Sequence, residues 1–72
     1  MKTIGHKTEE AVAYGSLGLV FQSQGELQKA KEYHEKALAV ATKTSDRKEV
    51  GTCYGNLGLV FQSLGEYQKA KE

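Results

Sequence analysis

The chain has no proline, so no residue in it lacks a backbone N–H or forces a helix to kink. A single cysteine excludes an internal disulfide and suits a reducing, cytoplasmic setting. No run approaches the ~18 apolar residues that a membrane crossing needs, so no membrane partner is expected. Neither sign of charge dominates: ten Lys and Arg face nine Asp and Glu, for a net charge of +1. That balance offers no basic stripe for nucleic acid and no polybasic anchor for a lipid surface. Lys2 followed by the run AVAYGSLGLVF has the outline of a signal peptide. Much of the same run returns at Tyr54 to Phe61, deep inside the chain, and so reads as a structural segment.

What is present is one block written twice. Tyr14 to Glu32 reads YGSLGLVFQSQGELQKAKE, and Tyr54 to Glu72 reads YGNLGLVFQSLGEYQKAKE. The two agree at 16 of 19 positions with an offset of 40 residues, a period that signals stacked repeats. At that period the 72 residues hold about 1.8 units, whereas solenoids need about three for a continuous core. Met1 to His6 align with Ala41 to Asp46, and Glu72 aligns with Glu32, so both ends fall within the pattern. The expectation is a piece of a longer array, or a chain that completes its core by association. It divides into a lead-in over 1–8, a first repeat over 9–44 and a partial second repeat over 45–72.

Both copies carry helical spacing. Ala11, Tyr14, Leu17, Gly18 and Phe21 line one face, and Leu27, Ala30, Tyr33, His34, Ala37, Leu38 and Ala41 form a second stripe. Gly25 and Gly65 fit the left-handed position just past a helix end, which predicts two antiparallel helices per unit. Asp46 with Glu49 has the spacing of a capped start, while Thr8 is the corresponding candidate in the first copy. Glu9, Glu10, Glu26 and Glu66 are expected at helix starts, where they favour the dipole. Lys31–Glu35 and Glu32–Lys36 have ion-pair spacing on an outer face. Gly18, Gly58, Ala30 and Ala70 remove bulk where helices would cross, with Tyr14, Leu17 and Phe21 beside the crossing.

A large residue, Leu-Gly, an aromatic, a glycine turn and then alanines make up this pattern. They are Tyr14, Leu17-Gly18, Phe21, Gly25, Ala30 and Ala37, then Tyr54, Leu57-Gly58, Phe61, Gly65 and Ala70. It resembles the tetratricopeptide repeat. The period of 40 exceeds the common ~34 and is similar to repeats of GoLoco-containing polarity adaptors and of long metazoan arrays. Two further departures are Thr42 at the usual proline position and Tyr33-His34 where bulky apolar residues are usual. The resemblance implies an all-α fold of antiparallel helix-turn-helix units, stacked as a right-handed α-solenoid. It also implies a non-catalytic scaffold that binds protein partners.

With Leu17 and Phe21 taken as the core direction, Leu19 lies roughly 150° away at ~100° per residue. Val12, Gly15, Ser16, Leu19, Gln22 and Ser23 share that side, and Thr52, Gly55, Asn56, Leu59, Gln62 and Ser63 are their counterparts. The resemblance makes this the concave peptide-binding groove, with Asn56 at the position of an asparagine that holds a ligand backbone. Ser16 replaces that asparagine in the first copy, and no Lys or Arg provides a clamp for a terminal carboxylate. The expected ligand is a peptide or helix with apolar anchors. Leu19 and Leu59 serve either that ligand or packing between neighbouring first helices. Gly15 and Gly55 reflect either a close approach or an uncorrected duplication.

No cofactor or metal is expected: His6 and His34 stand apart from any ligand cluster, and Cys53 reads as a small packing residue. The alternative function is self-association into a homo-oligomer, because Leu57, Val60 and Phe61 look short of a cover. A turn at Gly65 that opened into a continuous helix would permit domain swapping.

Overall fold

A computed structural model describes the backbone of residues 3–71 and the side-chain surroundings of residues 9–66. Three helices follow one another: α1 (Thr3–Ser23), α2 (Leu27–Thr44) and α3 (Arg47–Lys71). No strand occurs among the described residues, so the fold is all-α and has the architecture of a helical repeat fragment. α2 is the middle element and meets both neighbours, while α1 and α3 meet each other less extensively.

Two helix ends use the same hydrogen-bond device. At the first, Glu26 N donates to Phe21 O and Gly25 N donates to Gln22 O, with Gly25 at φ 80°. At the second, Asp46 N donates to Ala41 O and Ser45 N donates to Thr42 O, with Ser45 at φ 59°. Both are Schellman closures, which satisfy carbonyls the helix would otherwise leave free. Glycine enters the left-handed region without strain, whereas Ser45 does so against the Cβ penalty. Asp46 then caps α3, its Oδ1 accepting from Glu49 N at 3.2 Å.

The seam between α1 and α2 is built on a ring set over a glycine. His34 is fully buried, as are Ala30, Ala37 and Ala41 along the same stripe. A Cβ added to Gly18 would lie 2.7 Å from His34 Cε1 and 2.8 Å from both ring nitrogens. Only a residue without a side chain leaves room for that imidazole. Beside it the Tyr33 ring stacks on Phe21 at 5.3 Å and tilts against Tyr14 at 6.2 Å. Lys29 and Lys36 extend over the Phe21 and Tyr33 rings at 5.5 and 5.7 Å, closing the edges of the cluster. Between α2 and α3 the buried apolar residues are Cys53, Leu57 and Val60 of α3.

Several expectations change. α3 continues straight through Gly65, so that glycine does not make the turn that Gly25 makes. A glycine permits a left-handed turn without requiring one. The turn at Gly25 is accompanied by α2 packing back on α1 through Tyr33 and His34. Among the described residues Gly58 seats nothing, with no atom within 4 Å of an added Cβ. Leu17 is exposed and lies outside the α1–α2 seam, whereas its counterpart Leu57 is buried. Leu57 and Val60 are covered, and only Phe61 of the three residues expected to lack cover is open.

Thr8 lies inside α1 and is no cap, because α1 begins at Thr3. For the same reason Glu9 and Glu10 are not at a helix start, and Glu66 lies within α3. Lys31 pairs with Glu35 at 3.7 Å, but Lys36 lies over Tyr33 instead of pairing with Glu32. The side chain of Ala70 lies outside the described residues.

Two outcomes follow from the seam. Gly18→Leu is expected to destabilise the fold by about 1–3 kcal/mol in urea unfolding followed by circular dichroism. Burial holds the His34 imidazole below its ordinary pKa of 6.5, and its ring nitrogens have no hydrogen-bond partner among the described residues. The unfolded chain therefore takes up the proton first. Full stability is expected above pH 6.5, with progressive loss as the pH falls below 6.5 toward the folded-state value. His34→Leu should remove that component from the pH dependence of the unfolding midpoint.

Candidate partner-binding face

The repeated block supplies α1 and α3 with nearly the same residues, and the two helices use them differently. In α1 the side turned to α2 carries Ala11, Tyr14, Gly18 and Phe21, and Leu17 and Val20 are exposed. In α3 the buried side carries Cys53, Leu57 and Val60, and Tyr54 and Phe61 are exposed. Each helix thus has two apolar faces, of which the fold covers a different one in each copy.

On a third side the leucine of each copy is treated alike. Leu19 is 49% exposed and Leu59 is 53% exposed. Around Leu19, Val12, Ser16 and Ser23 are exposed, Gln22 is half-buried and Gly15 is buried. Around Leu59, Thr52, Gly55 and Gln62 are exposed, and Asn56 and Ser63 are half-buried. The six residues of each set therefore lie on one helix, and the two helices meet.

The polar groups on this side are only partly committed. Ser23 Oγ donates to Val20 O at 2.9 Å, and Thr52 Oγ1 donates to Lys48 O at 3.1 Å. Those hydroxyls turn back onto their own helix. Gln22 Oε1 is buried with no hydrogen-bond partner among the described residues. Sequence reasoning placed Gln22 on the strip without singling it out, because spacing does not show where an amide oxygen ends up.

Gly15 and Gly55 gain no explanation from neighbouring helices. An added Cβ at either position meets no atom within 4 Å. Gly15 is nonetheless buried, whereas Gly55 is exposed.

Other chemistry is sparse. Among the described residues no group of three or more His, Cys, Asp or Glu could hold a metal ion, and no helix is long and apolar enough to cross a membrane. Cys53 is buried, with Sγ 4.0 Å from Glu49 Oε2. Burial first, and then the Glu49 carboxylate, push its thiol pKa up, which keeps it protonated and poorly nucleophilic. Two open pockets lie at the inter-helix turns. One of about 390 Å³ is bounded by Gly25, Leu27 and Leu64, and one of about 470 Å³ by Thr42, Val50 and Tyr54. Neither is lined by a residue of the Leu19 and Leu59 sets.

A family model described as tetratricopeptide repeat matches residues 9–72. No curated protein and no solved structure matches the chain.

The open space at the two glycines generates a direct expectation. Gly15→Ala and Gly55→Ala should each raise stability by about 0.5–1 kcal/mol, since helix propensity improves and no contact is lost. Thermal unfolding of the two variants checks this.

Proposed function

The chain belongs to the tetratricopeptide repeat family, whose repeats mediate protein–protein interaction, and from that premise we propose a specific binding face. The module is non-catalytic and acts as a scaffold, docking a partner peptide or helix on the concave side formed by the Leu19 and Leu59 sets. The observation that supports this most is the equivalence of Leu19 and Leu59. The other large apolar positions that the two copies share on this block, at Leu17/Leu57, Val20/Val60 and Phe21/Phe61, differ in burial between copies. Leu19 and Leu59 are about half exposed in both, so the helix pairings of this fold leave the same residue open twice.

The face carries no charged residue, which favours a ligand with apolar anchors and an internal backbone stretch over a free carboxylate terminus. The half-buried Asn56 supplies a backbone-directed hydrogen bond beside those anchors. Neither nucleic acid nor membrane is a partner in this reading, no cofactor is required, and the setting is the cytoplasm. A second reading, self-association into a homo-oligomer, is favoured by the continuity of α3 through Gly65 and by the exposed Tyr54 and Phe61.

Panning a library of random peptides against the chain tests the first reading. Selected peptides are expected to carry Leu, Ile or Phe at spaced internal positions. Leu19→Asp combined with Leu59→Asp is expected to abolish their binding while helicity by circular dichroism persists. Binding that survives the double substitution would rule this face out.

A further inference from the structure

The His34 ring is fully buried on Gly18, and neither ring nitrogen has a hydrogen-bond partner among the described residues. Such a seat suits the neutral imidazole and offers no acceptor to an imidazolium. The helices around it supply no compensating charge. On α1, Ala11 to Gly25 contain no Asp, Glu, Lys or Arg, and Tyr14 is the titratable group. On α3, Val50 to Gly65 also lack those residues, and the titratable groups are Cys53 and Tyr54. The Cys53 thiol is kept protonated by burial and by the Glu49 carboxylate. On α2 itself, Glu35 is exposed and pairs with Lys31 at 3.7 Å, Lys36 lies over the Tyr33 ring, and Glu32 is exposed. Burial alone accordingly accounts for the lowered imidazole pKa.

The same seam places the two halves of the partner face. Leu19 follows Gly18 directly, so its set rides on the helix that the ring holds. The Leu59 set rides on α3. α1 and α3 each meet α2 more extensively than they meet each other, so α2 sets how the two halves stand.

The geometry points to a proton-operated latch: the neutral His34 ring on Gly18 holds the Leu19 set beside the Leu59 set, and a proton on that ring releases α1 from α2 and parts the two. This latch regulates the partner face proposed above and presupposes it.

The direction follows from where the proton binds first. In the seated state the imidazole lies below its ordinary 6.5, whereas a ring released to water returns to about that value. The released state therefore takes up the proton first, and the partner selects the seated, neutral state. Partner and proton compete. Affinity is constant above pH 6.5 and falls below it, by at most about tenfold per pH unit for one displaced proton. Reciprocity requires a saturating partner to move the His34 titration to lower pH. Between pH 6.5 and about 5, His6 and His34 are the side chains that change charge most.

The probe is a peptide from the panning described above, with blocked termini and no Asp, Glu or His, so that it does not titrate itself. Calorimetric titration of the 72-residue chain with this peptide is expected to give one affinity above pH 6.5 and progressive weakening toward about pH 5. His34→Leu should flatten that dependence, and His6→Gln should leave it in place. A second measurement needs no change in the seam. Proton magnetic resonance of the His34 ring, assigned with His6→Gln, should show its midpoint shifted to lower pH when the peptide saturates the chain. In the free chain, α1 resonances should move together with that ring.

Affinity that stays flat to about pH 5 overturns the latch. So does a His34 midpoint that the peptide leaves unmoved, or a pH dependence that persists in a folded His34→Leu chain. Each of these results keeps the partner face, provided that Leu19→Asp with Leu59→Asp abolishes binding. A peptide that still binds that double variant overturns the face, and the latch with it, as does panning that returns no peptide.

Discussion

The contact on which the rest of this structure depends is the His34 ring over Gly18. It fixes how closely α1 and α2 approach, and it sets the angle at which Tyr33 reaches Phe21 and Tyr14. It also explains the glycine in the Leu-Gly pair of the first copy, since any Cβ there would collide with a buried imidazole. A core built on alanines and one ring buries little apolar surface per residue. Its close approach compensates by bringing backbone and stem atoms into dense contact, where each pair adds a small dispersion gain. The cost is a polar ring enclosed without hydrogen bonds among the described residues, which ties the fold to the neutral imidazole.

That contact also divides the two copies of the block. α1 spends its tyrosine, glycine and phenylalanine on α2, and leaves Leu17 and Val20 open. α3 spends its leucine and valine on the core, and leaves Tyr54 and Phe61 open. In a stacked repeat each helix of this kind has two neighbours, and each copy here shows one of them. The faces left open are therefore shaped for helices, which is a different demand from that of the Leu19 and Leu59 side.

Much of this was legible in the residues. The offset of 40, the glycine turn at Gly25, the capped start at Asp46 and the family all followed from spacing and residue type. What was not legible came from treating two like sequences as two like structures. Gly65 and Gly58 repeat Gly25 and Gly18, but a glycine only allows a turn or a close approach; the partner segment decides whether it happens. Leu17 was placed toward the core because it shares a helical stripe with Phe21, and the two turned out to serve different neighbours. Ser45 in the left-handed region carried no glycine to announce it. The positions of Leu19 and Leu59 opposite the core emerged from angular spacing alone, and their equal exposure could be seen only in the fold.

The most direct test of the account is a nuclear Overhauser measurement on the folded chain, read at Gly18. The account predicts cross-peaks between the Gly18 α-protons and the His34 ring protons, with the α-protons shifted by the ring current. Gly18 α-protons at unshifted positions, with no cross-peak to His34, would contradict it.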